Sequence, residues 1–186
     1  MKKTAIAILL SAAMAPALAD MGDMDNKHMY VGLRAGPANT NIDNIIFGNN
    51  TNNASGNPTG WGIFVGHIVN PNFSVEAEYL NLGQIKSNTN TQNSTGFDVA
   101  LLGAYPFNDQ FSLFGKLGYA MITGKPGGAC TGCTDSKDRA LTYGFGGQFN
   151  VTPVVGVRLG WDKYRFNDNG SSGHANFYSV GALVKF

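Results

Sequence analysis

Beyond residue 19 the chain has no run of eighteen apolar residues, which excludes a transmembrane helix. Charge is scarce, at 13 % of residues against about a quarter in ordinary soluble domains, and the whole chain holds two glutamates, Glu76 and Glu78. Cysteine is confined to Cys130 and Cys133, too few for a disulfide scaffold. No basic excess exists, with 13 Lys and Arg against 12 Asp and Glu, which removes nucleic acid from the candidate partners. Helical apolar spacing is almost absent. What is abundant is glycine, at 25 residues, and aromatic side chains, at 11 %. Low charge with many aromatics and glycines suits a protein whose outer surface does not face water.

The opening MKKTAIAILLSAAMAPALAD places two lysines before an apolar run and ends it at Ala17-Leu18-Ala19, the pattern of a cleaved secretory signal over residues 1–19. Residues 20–27 then read as a flexible periplasmic leader and 28–186 as one domain. Removing Lys2 and Lys3 leaves 11 basic against 12 acidic residues, a net charge of −1 by subtraction. The segment DMGDMDNKHM carries three methionines, three aspartates and His28, donors that could hold copper, although the leader reading is the expectation and no metal is assigned.

Apolar residues alternate with polar ones through eight segments, roughly 28–38, 59–70, 72–84, 95–106, 110–123, 139–150, 153–166 and 174–186. A period of two marks strands with one apolar face. Tight turns join the second to third, fourth to fifth and sixth to seventh segments through Asn70-Pro71-Asn72, Pro106-Phe107-Asn108-Asp109 and Asn150-Val151-Thr152-Pro153. The other connections, 39–58, 84–95, 123–138 and 166–173, are long and polar. Short and long connections alternate, which predicts an eight-stranded antiparallel up-and-down β-barrel with turns at one end and loops at the other.

The apolar set is aromatic at its ends. Trp61, Tyr79, Phe97, Tyr119, Tyr143, Trp161 and Tyr178 stand at the loop end, and Phe73, Tyr105, Phe111, Phe149 and Phe186 at the turn end. At ~3.3 Å per residue and a tilt near ~40° the two rows lie roughly 15 to 20 Å apart, a spacing suited to two girdles around a lipid-facing band. The opposite parity holds Arg34, Glu76, Glu78, Asp98, Lys116, Gln148, Arg158, Asp162 and Lys185 among small residues. Four cations there meet four anions. An eight-stranded barrel is just wide enough for side chains, so these charges are expected to pair across the interior and plug it.

These residues and their order resemble the eight-stranded transmembrane domain of the outer membrane protein A family. The resemblance is carried by MYVGLRAG at 29–36, PNFSVEAEYLNLG at 71–83, YPFNDQFSLFGKLG at 105–118, VTPVVGVRLGW at 151–161 and the ending SVGALVKF. It implies an integral protein of a bacterial outer membrane with extracellular loops, surrounded by lipid and lipopolysaccharide. It also implies a lumen ion pair between Glu76 and Arg158, with Leu102 where the family has a lysine and Gln148 where it has a glutamate. A terminal aromatic strand, with Tyr178, Val184 and Phe186, would be the signal read by periplasmic chaperones and the assembly machinery. The sequence stops at this strand, so the periplasmic tethering domain of the family's large members is not expected.

Cys130 and Cys133 sit in the third loop, where an exported chain most often makes a disulfide; redox and zinc readings of ACTGC lack a second pair or a nearby histidine. His28, His67 and His174 fall at the leader, the turn end of the second strand and the loop end of the eighth, with no nucleophile, base and orienting group that could converge, so no enzyme is expected. The functional expectation is a structural, surface-exposed barrel with at most a narrow plugged pore. A second is an adhesin binding host or environmental ligands through its loops.

Overall fold

The computed structural model describes residues 28–47, 50–87, 90–128, 136–168 and 171–186. The segments expected as signal peptide (1–19) and leader (20–27), and the Cys130–Cys133 disulfide, lie outside the described residues. Nine strand segments follow in chain order: β1 (Met29–Phe47), β2 (Asn50–Gly56), β3 (Thr59–Asn70), β4 (Phe73–Ser87), β5 (Asn90–Pro106), β6 (Phe111–Gly128), β7 (Ser136–Asn150), β8 (Val155–Asp168) and β9 (Ser171–Lys185). Both β2 and β3 pair with β1, at Thr40↔Gly56 and Pro37↔Thr59, so they form one stave interrupted at Asn57-Pro58. Pro58 has no N–H for the ladder, but its carbonyl accepts the Ala38 N–H at 2.8 Å and bridges the gap.

Every neighbouring stave is antiparallel, and β9 returns to β1 with Tyr30↔Lys185, Leu33↔Ala182 and Ala35↔Val180 in register. The seam is tied at its end by Met29 N–H donating to the Phe186 carbonyl at 3.1 Å and Phe186 N–H donating to the Met29 carbonyl at 2.8 Å. Eight staves thus close into an all-β antiparallel barrel. Closure leaves no strand edge whose backbone groups would go unpaired in hydrocarbon.

All three short turns use one device, a side-chain oxygen that accepts two backbone N–H groups ahead of it. Asn70 Oδ1 takes those of Asn72 and Phe73 at 2.9 Å each, and Asn108 Oδ1 those of Gln110 (2.9 Å) and Phe111 (2.7 Å). Thr152 Oγ1 takes those of Val154 (3.3 Å) and Val155 (2.9 Å).

The other end differs from expectation. Segments read as loops continue as paired strands, with Phe47↔Asn50, Ser87↔Asn90, Asn90↔Gly128 and Asp168↔Ser171 in register. Polar stretches such as QIKS at 84–87 and NTQNST at 90–95 can pair their backbones in water without any apolar face, so their strands carry no hydrophobic alternation to betray them. A bulge between Asn81 and Gly83 marks where β4 leaves the regular barrel. Gly83 has φ of 85°, open to glycine at little cost, and its N–H is held by Asn81 Oδ1 at 2.7 Å.

The outward parity is a wall of exposed hydrophobic side chains, among them Ile63, Val99, Leu101, Leu117, Leu159 and Val180. Val184 shares the outward parity of Val180 and Ala182, where alternation predicts a lipid-facing side chain, but is buried, 3 % exposed. It lies in register between Val31 and Val155, and branched neighbours on both flanks cover a side chain of its size.

Candidate functional site

The inward parity builds a layered interior. At the turn end a vestibule of about 560 Å³ is lined by Tyr30, Leu102, Phe114, Gln148, Asn150 and Lys185, among others. Lys185 does not join the ionic network expected of it. Its Nζ donates to Asn150 Oδ1 at 3.1 Å, which also accepts from Gln148 Nε2 at 2.9 Å.

Above the vestibule Arg158 Nη1 donates to Glu76 Oε2 at 2.6 Å, while its Nη2 and Nε reach Gln148 Oε1 at 3.1 and 3.4 Å. The Tyr30 hydroxyl donates to the same Glu76 oxygen at 3.0 Å. The guanidinium carbon of Arg158 stands over three rings, Phe64 and Phe114 at 4.9 Å and Tyr30 at 5.3 Å. Glycine makes this stacking fit: a Cβ at Gly32 would strike the Phe64 ring, and one at Gly66 the Tyr30 ring.

The next layer joins five charged groups from five strands. Arg34 Nε and Nη2 donate to the two oxygens of Glu78, both at 2.5 Å; Nη1 donates to Asp162 Oδ2, and Nη2 to the Tyr164 hydroxyl at 3.0 Å. Lys116 Nζ donates to Glu78 Oε2 at 3.1 Å and stands 2.7 Å from Asp98 Oδ2. That second approach is ionic rather than an aligned hydrogen bond, since neither Asp98 oxygen has a hydrogen-bond partner among the described residues. Lys116 is also 4.0 Å from Glu76 and so links the two layers. Buried charges are tolerated because most of them have two or more partners.

A third layer, toward the loop end, is apolar. Leu80, Leu82, Ile122, Tyr164 and Phe177 pack with Ala38, Ala120, Ala140 and Ala175 into a buried cluster. Arg34 sits beneath it, its guanidinium carbon 4.9 Å from the Phe177 ring centre.

Of the charges expected inside, Arg34, Glu76, Glu78, Asp98, Lys116 and Arg158 are brought together with Asp162. Tyr30 and Tyr164 were not anticipated as ligands of these ions. Their signal was a phenol on the charged parity. Leu102 is buried beside the vestibule.

The two aromatic rows stand outward. Trp61, Tyr79, Phe97, Tyr119 and Tyr178 are exposed at the loop end, as are Phe73, Tyr105, Phe111, Phe149 and Phe186 at the turn end. Tyr143 and Trp161 are half-buried because they pack edge to face, 6.2 Å between centroids. Phe107, in the second turn, joins the lower row between Tyr105 (5.1 Å) and Phe111 (5.7 Å). His28 and His67 lie 6.4 Å apart near the turn end, whereas His174 pairs with Asn41 and Arg165 at the other.

A family model for the outer membrane protein beta-barrel domain matches residues 5–186. Outer membrane protein A of Salmonella typhi is 29 % identical over 203 residues, covering all of this chain and 56 % of its own length, so the chain spans about half of such relatives. Among solved structures, Neisserial surface protein A matches with a TM-score of 0.63 at 15 % identity, over 85 % of this chain and 97 % of its own. Ail of Yersinia pestis, solved with the heparin analogue sucrose octasulfate, matches with a TM-score of 0.55 at 18 % identity, over 86 % of this chain and 99 % of its own. With a closed eight-stave barrel, an apolar outer wall and a family match along nearly its whole length, the chain belongs to the outer membrane protein beta-barrel domain family and is an integral outer-membrane protein.

Proposed function

We propose that this protein is a structural, surface-displaying barrel whose lumen is sealed twice and conducts no ions. The observation that carries the reading is the stack of two dissimilar barriers. A permeating ion would have to part the Arg158–Glu76 and Lys116–Glu78 contacts and then shed its water to cross the layer of Leu80, Leu82, Ile122 and Phe177. The resemblance to outer membrane protein A suggests an ionic gate alone; here opening the ions leaves the apolar layer in place. Potassium efflux from proteoliposomes tests this. Wild type and Glu76→Gln should both match protein-free vesicles, and efflux that rises in Glu76→Gln would show the ion pair to be the whole barrier.

The second reading, a binder acting through its outer hairpins, is favoured by their reach. Strand β6 runs nine residues beyond Tyr119, roughly 30 Å of paired backbone at ~3.3 Å per residue. Such a platform would present backbone-rigid Asn and Thr segments to a partner at the cell surface.

A further inference from the structure

Strand pairing at the turn end brings together two of the chain's three histidines. His28 and His67 are both exposed, and their ring centres lie 6.4 Å apart with the planes inclined at 53°. They are distant in sequence, and the ladder between β1 and β3 makes them neighbours. Met29 is in register with His67, and the Ile68 N–H donates to the His28 carbonyl at 2.6 Å. Among the described residues neither imidazole has a hydrogen-bond or ion-pair partner, so each keeps a nitrogen free for a ligand.

Met29 supplies a third donor. It is 41 % exposed and stands opposite His67, where facing side chains have Cβ atoms about 4.5–5.5 Å apart. Its thioether swings on an unbranched chain that adapts to its neighbours. The other flank of His67 holds Val75, which offers no donor. The group is level with the lower aromatic row, since Met29 exchanges two backbone hydrogen bonds with Phe186, and an ion reaches it from the water at the turn end.

A metal ion held at about 2.0–2.1 Å by one nitrogen of each ring sets the ring centres roughly 5 to 6.5 Å apart. The observed 6.4 Å stands at the wide end of that range, which corresponds to a nearly linear N–metal–N angle. The terminal torsion of histidine is broad, so aiming the two nitrogens at the midpoint costs little. A d10 Cu(I) ion accepts such an angle, whereas protein-bound Zn(II) is almost always tetrahedral. The thioether points the same way, because soft sulfur selects Cu(I). We propose that His28, His67 and Met29 form a rim site that binds one Cu(I) ion through two imidazoles and a thioether. Binding is reversible coordination with no change of oxidation state, and it does not depend on a sealed lumen. Residues 20–27, whose methionines and aspartates also suit copper, lie outside the described residues and form no part of the site.

The test titrates Cu(I), under argon with ascorbate and against the chromogenic chelator bicinchoninate, into the untagged folded full chain in neutral detergent. The background is Cys130→Ser/Cys133→Ser, so that no thiol competes for the metal. The folded chain should take up one Cu(I), and His67→Gln should bind it about tenfold more weakly, or less still. Met29→Leu should also weaken Cu(I) while leaving Zn(II) binding unchanged. The chain unfolded in urea, where β1 and β3 no longer pair, should bind as weakly as His67→Gln. Heat-modifiable gel mobility confirms that each variant is folded. Affinity unchanged by His67→Gln, equal affinity of the folded and urea-unfolded chain, or tighter binding of Zn(II) than of Cu(I) would each overturn the proposal.

Discussion

Arg34→Met should lower the unfolding free energy of the lipid-embedded barrel by about 3–5 kcal/mol, measured by urea titration in phospholipid vesicles. Among the described residues this arginine is the one hydrogen-bond partner of Asp162, and both oxygens of Glu78 close on it, so removal leaves carboxylates buried with too little compensation. The size of the effect is the penalty for an uncompensated charge and not the net worth of the pair. Adding Asp162→Asn should therefore return part of the loss, because the two changes act on one contact and are not additive. A single variant as stable as wild type would mean that the charges are hydrated, which would contradict a dry lumen.

Leu101→Arg should cost about 2–4 kcal/mol in the same titration, whereas Thr95→Arg should cost at most ~1 kcal/mol. Leu101 lies four residues from Phe97 at one aromatic row and four from Tyr105 at the other, with its side chain outward and 63 % exposed. An arginine there sits at mid-depth in hydrocarbon. Thr95 has the same parity but lies beyond Phe97, where an arginine meets headgroups and water. Equal losses at both positions would place the membrane band elsewhere on the wall.

The wall was legible in the sequence because hydrocarbon imposes a strict rule. Each outward position between the rows must be apolar, so parity alone assigns Ile63, Val99, Leu117 and Leu159. The short turns were equally legible, since Asn70, Asn108 and Thr152 satisfy nearby N–H groups through local bonds that need no knowledge of the fold. The outer hairpins were not, because water stands on both of their faces and pairing there leaves no period of two. Interior partners were hidden for a different reason. Arg34 and Asp162 are 128 residues apart, and nothing local specifies which cation meets which anion. The apolar layer was missed because an interior expected to be polar draws attention to charges, while Leu80, Ile122 and Phe177 stand on the same parity as Glu78 and Asp162.

The proposed seal of two unlike layers differs from one made by salt bridges alone. Substitutions that loosen the ions should destabilise the barrel before they open it, since the apolar layer needs no ionic partner. The chain's scarcity of charge then has a structural reading. The carboxylates set between the aromatic rows, Glu76, Glu78, Asp98 and Asp162, are all buried inside.

Single-channel recording in planar bilayers tests the sealed lumen most directly. Wild type should give no discrete steps above the protein-free baseline at either polarity, and steps should appear only when the apolar layer and the ion pair are broken together, as in Leu80→Ser/Phe177→Ser/Glu76→Gln. Stable conductance steps from the wild-type barrel, verified as folded by its heat-modifiable mobility, would contradict the account.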